Sequence, residues 1–295
     1  MKIFFSPKCL EYDSPGHPES PLRVRATCEH LKQKGNVFVE PSPCGEEDLL
    51  AVHTRELVES VKSGSFYDPD TPALPGMYGY ALLAAGSALQ ALECALGATG
   101  GVAGATAGGG EGAFSLMRPP GHHAGKRRLG GFCYFNNMAV AVTKALSLVE
   151  RAAIVDIDCH HGNGTEDIFL GNKRVLFVSL HQSPLYPGTG LFSEDNCLNY
   201  PLRPGTDGRA YLAVLEKALK DVKKFDPGVI GVSAGFDTFR NDPITGLLLD
   251  VEDYFRIGEL IGGLGKPTFS VLEGGYDRGI PACVERYLEG VSGAR

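Results

Sequence analysis

Residues 152–165 read Ala-Ala-Ile-Val-Asp-Ile-Asp-Cys-His-His-Gly-Asn-Gly-Thr. The apolar run Ala152 to Val155 leads into Asp156, Asp158, His160 and His161, and glycines stop it at 162 and 164. A short apolar run bounded by turn residues predicts a buried strand. Its polar end is then the rim of a sheet, where open α/β proteins hold their ligands. Residues two apart on extended backbone project to the same side, so Asp158 and His160 converge. A carboxylate and an imidazole meeting in this way form two legs of a metal site.

The same pattern recurs along the chain. Ala113–Met117 leads to Arg118-Pro-Pro-Gly-His-His123, and Arg174–Leu180 leads to His181 and then to Tyr186-Pro-Gly-Thr-Gly190. Val229–Ser233 leads to Ala234-Gly-Phe-Asp237, and Thr268–Leu272 to Glu273-Gly-Gly-Tyr276. Helices are predicted between these runs at 138–149, 209–225 and 251–264. Upstream, a strand is expected at 2–5 and helices at 22–34, 46–52, 55–62 and 78–96. The alternation predicts an α/β fold, with an open, mostly parallel sheet carrying helices on both faces, as one domain over 1–295. Five runs deliver their polar tails to one sheet edge, which argues for a single active site. The Gly/Ala-rich stretch 97–112 meets neither phosphate-loop pattern and reads as a flexible connector.

Composition narrows the function classes. Of 295 residues, 43% are hydrophobic and 21% charged, enough for a sizeable core. A formal charge of -7 gives no footprint for nucleic acid or an anionic membrane. No apolar run approaches the ~18 residues of a membrane span. The opening Met1-Lys-Ile-Phe-Phe-Ser-Pro7 has no signal-peptide core, so a cytoplasmic location is expected. Eight scattered cysteines contain no CxxC pair, which predicts reduced thiols rather than disulfides or a zinc knuckle.

Asp237 follows the fourth run and is the best candidate for a third metal ligand. Two carboxylates and one imidazole leave coordination positions open, so the site can serve as a Lewis acid and activate water. His122 and His123, after a turn fixed by Pro119, Pro120 and Gly121, are candidates for a general base. Asp156 and Asn163 flank the ligands and are candidates to orient those rings. Tyr276, after paired glycines, is placed to donate to a developing oxyanion, or is simply a tyrosine at a loop–helix junction. Phe132 and Tyr186 read equally as walls of a narrow apolar channel or as ordinary core. His161 reads as a buried residue behind the ligands.

Together these motifs resemble the histone deacetylase family, including bacterial histone-deacetylase-like amidohydrolases and acetylpolyamine amidohydrolases. The resemblance rests on His17-Pro-Glu-Ser-Pro-Leu-Arg23, Arg118-Pro-Pro-Gly-His-His-Ala124, Gly130-Gly-Phe-Cys-Tyr-Phe-Asn-Asn137 and Asp156–Thr165. It continues through Ser179-Leu-His181, Pro187-Gly-Thr-Gly190, Ser233–Asp237, Asp242-Pro243 and Leu272–Tyr276. It implies an arginase-like fold and zinc-dependent removal of acyl groups from amines. By matching position, zinc would sit on Asp158, His160 and Asp237. His123 would be the base, and His122 its electrostatic partner held by Asp156. Asn163 would orient the histidine pair together with Asp156. Tyr276 would polarise the acyl carbonyl. Phe132 and Tyr186 would wall an acyl-lysine channel, with Gly131 and Gly275 as further substrate-binding positions and Asp70 as the rim carboxylate. Arg23 would lie beneath the floor.

The family also carries structural potassium or sodium, two ions by resemblance. The inner ion would be held by Asp156, Ser179 and the carbonyls of Asp158, His160 and Leu180. The outer ion would be held by carbonyls around Phe169, Asn172, Val175 and Tyr211. Asn163, in place of the Asp of class I enzymes, resembles the class II and bacterial pattern. Tyr186 stands where phenylalanine is common. The implied substrate is acyl-lysine in a protein or peptide, with acetylpolyamine or another small acylated amine as the alternative. A non-catalytic acyl-lysine binder and an arginase-type dinuclear hydrolase are the alternative readings; every catalytic position of the motif being present disfavours the first, and the second would need further carboxylate and histidine ligands at positions that, by resemblance, the monovalent cations take.

Overall fold

The structure is a computed structural model that describes residues 1–97 and 111–293; all but the ends of the expected connector at 97–112 lie outside the described residues. Eight strands form one sheet: β1 (Lys2–Phe4), β2 (Val37–Val39), β3 (Ala113–Ser115), β4 (Ala152–Asp156), β5 (Val175–Gln182), β6 (Cys197–Leu202), β7 (Val229–Ala234) and β8 (Thr268–Leu272). Their order is β2-β1-β3-β8-β7-β4-β5-β6, and every pairing is parallel. Parallel strands need crossover connections, which here are mostly helical. The helices are α1 (Pro21–Gln33), α2 (Glu46–Leu50), α3 (Arg55–Ser63), α4 (Met77–Ala95), α5 (Asn137–Ala145), α6 (Asn163–Phe169), α7 (Gly208–Phe225), α8 (Val251–Gly262) and α9 (Ile280–Gly293).

Side-chain alternation along the strands separates two cores. Ala153 and Val155 of β4 pack in the layer of Leu31 (α1), Leu215 (α7), Ile257 (α8) and Val284 (α9). Ala152 and Ile154 face the other way, toward Ala88 of α4 and Val142 of α5. A strand buried on both faces reads as a continuous apolar run, which is why β4, β5, β7 and β8 were legible. From β4 the chain proceeds through β5 to β6 in one direction, and from β7 to β8 in the other. The order therefore reverses between β4 and β7, and the crevice beyond their carboxyl ends is where such a sheet binds ligands. Asp156 and Ser233 are paired at that end.

Several boundaries differ from expectation. The helix expected over 138–149 ends at Ala145. Beyond it Ser147 and Leu148 bond three residues back, and the Arg174 guanidinium takes the carbonyls of Leu146, Val149 and Glu150. A cation on the last carbonyls is a standard helix terminus. His181 lies inside β5 rather than after it. The edge strands β2 and β6 were not expected: β2 is only Val37-Phe38-Val39 and partly exposed, and β6 contains Asn199 and Pro201, a proline that an edge strand tolerates. Helix α6 was hidden by Gly162 and Gly164, which resemble a stop signal. Helix α9 completes the far layer by packing on α8 and α1. Burial pushes the thiols of Cys9, Cys44, Cys197 and Cys283 up to about 12. No helix among the described residues is long and apolar enough to cross a membrane.

Candidate active site

Four strand ends supply the site: β3 the histidine turn, β4 the Asp158–His160 segment, β7 Asp237, and β8 the Tyr276 loop. Asp158, His160 and Asp237 are buried and present donor atoms within 4.8 Å of one another. The His160 Nδ1 lies 3.1 Å from Asp158 Oδ1 and 2.9 Å from Asp237 Oδ2. The other oxygen of each carboxylate is fixed by backbone: Gly274 N donates to Asp158 Oδ2 and Cys159 N to Asp237 Oδ1, both at 2.7 Å. A Cβ on Gly274 would lie 2.4 Å from Asp237 Oδ2 and 2.6 Å from Asp158 Oδ2, so only glycine lets this backbone reach both acids.

Two buried carboxylates need a cation between them. Burial resists a charge on His160, but bonds from Asp158 and Asp237 overcome it and raise the imidazole to about 10. Burial and the charge of Asp158 raise Asp237 to about 6. Two acids crowded on one imidazole favour positive charge at the point where the three donors meet. The donor set of two carboxylates and one imidazole suits a divalent cation that leaves positions open, zinc or ferrous iron.

The two adjacent histidines are placed differently. His122 Nδ1 meets Asp156 Oδ2 at 3.0 Å, whereas His123 Nδ1 meets Asn163 Oδ1 at 2.7 Å. Burial disfavours charge on both. For His122 the carboxylates of Asp158 and Asp156 outweigh it and hold the imidazole well above its ordinary range. For His123, charges on His122 and His160 add to burial and push it well below. The rings are 4.0 Å apart, one favouring charge and the other neutrality.

The mouth is a cavity of about 230 Å³, walled by Phe132, Tyr186, Leu185, Ile244 and Tyr276, with His123 and His160 also lining it. Asp70 and Gly131 line it too, as does Gly274 rather than Gly275, whose carbonyl instead accepts from Arg23 Nε at 2.5 Å. Phe132 adopts φ 71°, a costly conformation for a non-glycine residue. Its N–H donates to Thr71 Oγ1 at 3.0 Å, and its ring meets those of His17 and Tyr276 at 4.5 and 5.9 Å. Gly131 has φ +55°, and a Cβ there would lie 2.5 Å from the His123 ring. The phenol of Tyr276 is raised well above its ordinary value by burial; Arg23 opposes this and Asp237 and Asp158 reinforce it, so the group stays a hydrogen-bond donor.

A histone deacetylase domain pattern matches residues 17–291. The chain belongs to the histone deacetylase family. It is 35% identical to a histone deacetylase-like amidohydrolase of Pseudomonas aeruginosa, over 95% of this chain and 78% of that one. It is 34% identical to an acetylpolyamine amidohydrolase of Mycoplana ramosa, over 93% of this chain and 92% of that one. The crystal structure of the HDA15 HD domain superposes with a TM-score of 0.89 at 32% identity, covering 99% of this chain and 88% of that one. The family and its sheet architecture are thus those the motifs resembled.

Arg118 and Glu19 stand in the quoted motifs, but no role was expected of either. Arg118, fully buried, donates to both Glu19 oxygens and to the carbonyls of Cys9, Tyr12 and Glu19. Glu19 in turn meets Arg23, which stacks on the Tyr276 ring at 4.7 Å and donates to the carbonyls of Gly275 and Glu273. A charged residue beside turn prolines was the only signal for this strut. His161 is buried, with Thr189 Oγ1 on Nδ1 and Glu166 Oε2 on Nε2, and its ring lies 4.6 Å from that of His181.

For the implied monovalent cations, Asp156 is wholly buried and its Oδ1 accepts from Asp158 N at 3.1 Å. His181 Nε2 donates to Gly190 O at 3.0 Å, so Ser179 Oγ donates to the unprotonated Nδ1 at 2.9 Å and keeps its own oxygen lone pairs free. In the outer group, the Phe169 and Val175 carbonyls accept from Asn196 Nδ2 at 2.9 and 2.8 Å, and Asn172 O accepts from Val175 N at 3.0 Å. Those three carbonyls already have internal donors. Tyr211, the fourth position, is buried, and its hydroxyl has no hydrogen-bond partner among the described residues.

Proposed function

We propose that this chain is a zinc-dependent deacylase that hydrolyses N-acyl amides, with acyl-lysine in peptides or proteins as its substrate. The reading is carried by one juxtaposition: the Asp158–His160–Asp237 donor set, a neutral His123 and a protonated Tyr276 all border one narrow apolar cavity. A divalent cation on those three donors would polarise a carbonyl and make water more acidic.

The chain's own groups divide the remaining work. Asn163 Oδ1 accepts the Nδ1 proton of His123, which leaves Nε2 as the acceptor that takes a proton from water. His122, charged and held by Asp156, stabilises negative charge developing at the reacting carbon's oxygen. The Tyr276 hydroxyl donates to that oxygen. The proton gathered by His123 then passes to the departing amine. Phe132 and Tyr186 exclude water from the acyl chain, and Asp70 at the exposed rim accepts hydrogen bonds from the substrate backbone. Zinc is the proposed ion, and a monovalent cation beside Asp156 is part of the same reading.

Small acylated amines are the second reading. The acetylpolyamine amidohydrolase relative supports it, as do the carboxylates of Asp70, which lines the cavity, and Asp68, which with the Tyr186 hydroxyl lies beside Gly130. Turnover of acetyl-lysine peptides, longer acyl-lysines and acetylpolyamines by metal-analysed protein decides between them. Faster turnover of peptides supports the first reading and faster turnover of polyamines the second. No turnover at full metal content overturns both.

A further inference from the structure

Glu273 directly follows the apolar strand β8 and is completely buried. Among the described residues, no lysine or arginine is bonded to its carboxylate. Oε2 accepts the N–H groups of Gly121 and His122 at 2.7 and 3.2 Å, and Oε1 accepts from Ser233 Oγ at 3.2 Å. Its own N–H donates to Ala234 O at 3.0 Å, and its carbonyl accepts from Arg23 at 2.6 Å. A buried acid with only neutral donors is expensive to desolvate, and burial accordingly raises it to about 7. An apolar residue would suit this core better, but it would leave two backbone N–H groups of the histidine turn without an acceptor.

The bonds join three segments that are far apart in sequence. Gly121 and His122 belong to the turn after β3, Ser233 lies four residues before Asp237, and Glu273 lies three before Tyr276. We infer that Glu273 is a positioning residue, whose carboxyl oxygens fix the His122–His123 turn relative to Tyr276 and Asp237. This rests on the deacylase reading above. It assigns the side chain a geometric role that depends on its reach and not on its charge, because both contacts to the turn are made by one acceptor oxygen.

Two variants separate reach from charge. Glu273→Gln keeps the length and an acceptor oxygen, with its amide turned to Ser233. Glu273→Asp keeps the charge and withdraws the oxygens by about one bond length. Both retain a polar group in the pocket, so neither depends on the fold tolerating a cavity. With an acetyl-lysine peptide, Glu273→Gln is expected within threefold of wild-type kcat. Glu273→Asp is expected to lose at least tenfold in kcat, with KM within threefold and metal content unchanged. The inference is overturned if Gln is as slow as Asp, if both match wild type, or if the Asp loss comes with loss of metal. A wild type inactive on every substrate at full metal content would instead overturn the deacylase reading, so the two failures are distinct.

Discussion

His123 Nδ1 lies 2.7 Å from the amide oxygen of Asn163, forty residues away, whereas its neighbour His122 faces the carboxylate of Asp156. One ring has a neutral partner and the other a charged one, and their proton affinities are pushed in opposite directions. A general base must be neutral to act, so activity rises with pH as His123 loses its proton. Asn163→Asp adds a negative partner, raises the pKa of His123 and should move the acidic limb of the kcat/KM profile to higher pH. An unmoved limb would remove His123 from the role of base.

Tyr276→Phe deletes only the hydroxyl aimed at the reacting oxygen. The ring still has Phe132 and the Arg23 guanidinium against it, so the loop should hold its place. Turnover is expected to fall about a hundredfold or more, the usual cost of one oxyanion donor. Bound metal should stay at one per chain. Near-normal kcat would show that the carbonyl is polarised without this phenol.

Asp237→Ala removes one of three donors and leaves Asp158 and His160. Equilibrium dialysis followed by elemental analysis should show stoichiometric metal in wild type and almost none in the variant, because two protein ligands rarely hold zinc tightly. Metal retained at full occupancy would mean that the third ligand lies elsewhere.

Acid stability tests a residue outside the site. His53 is buried, with Nδ1 on Gly125 O at 2.9 Å and Nε2 accepting from Asn136 N at 3.0 Å, and burial lowers it from 6.5 to about 4. Its folded pKa is depressed, so the unfolded chain binds the extra proton between those values. The contribution is full above pH 6.5 and disappears as pH falls toward 4. Between pH 7 and 5 it amounts to about 2 kcal/mol. Urea unfolding of His53→Gln should be less pH-dependent than wild type by about that much. Equal slopes would show that His53 titrates normally in the folded state.

What the sequence determined by itself was the central sheet and the identity of the chemistry-bearing side chains. Strands β4, β5, β7 and β8 are buried on both faces, so burial wrote itself as apolar runs, and each run ends in residues that cannot remain in a core without a partner. The edge strands β2 and β6 were not legible, because β2 is a run of only three apolar residues, Val37–Val39, and β6, open on one side, tolerates Asn199 and Pro201. Only the tertiary structure decided how the polar tails combine. The opposed partners of His122 and His123, the approach of Gly274 to two acids, and the clasp of Glu273 on the histidine turn join residues from β3, β4, β7 and β8. Their spacing in the chain is set by helical crossovers of unrelated length, whereas their spacing in space is set by sheet order. A local pattern therefore reveals which groups reach the rim, and the order of the strands decides which of them meet.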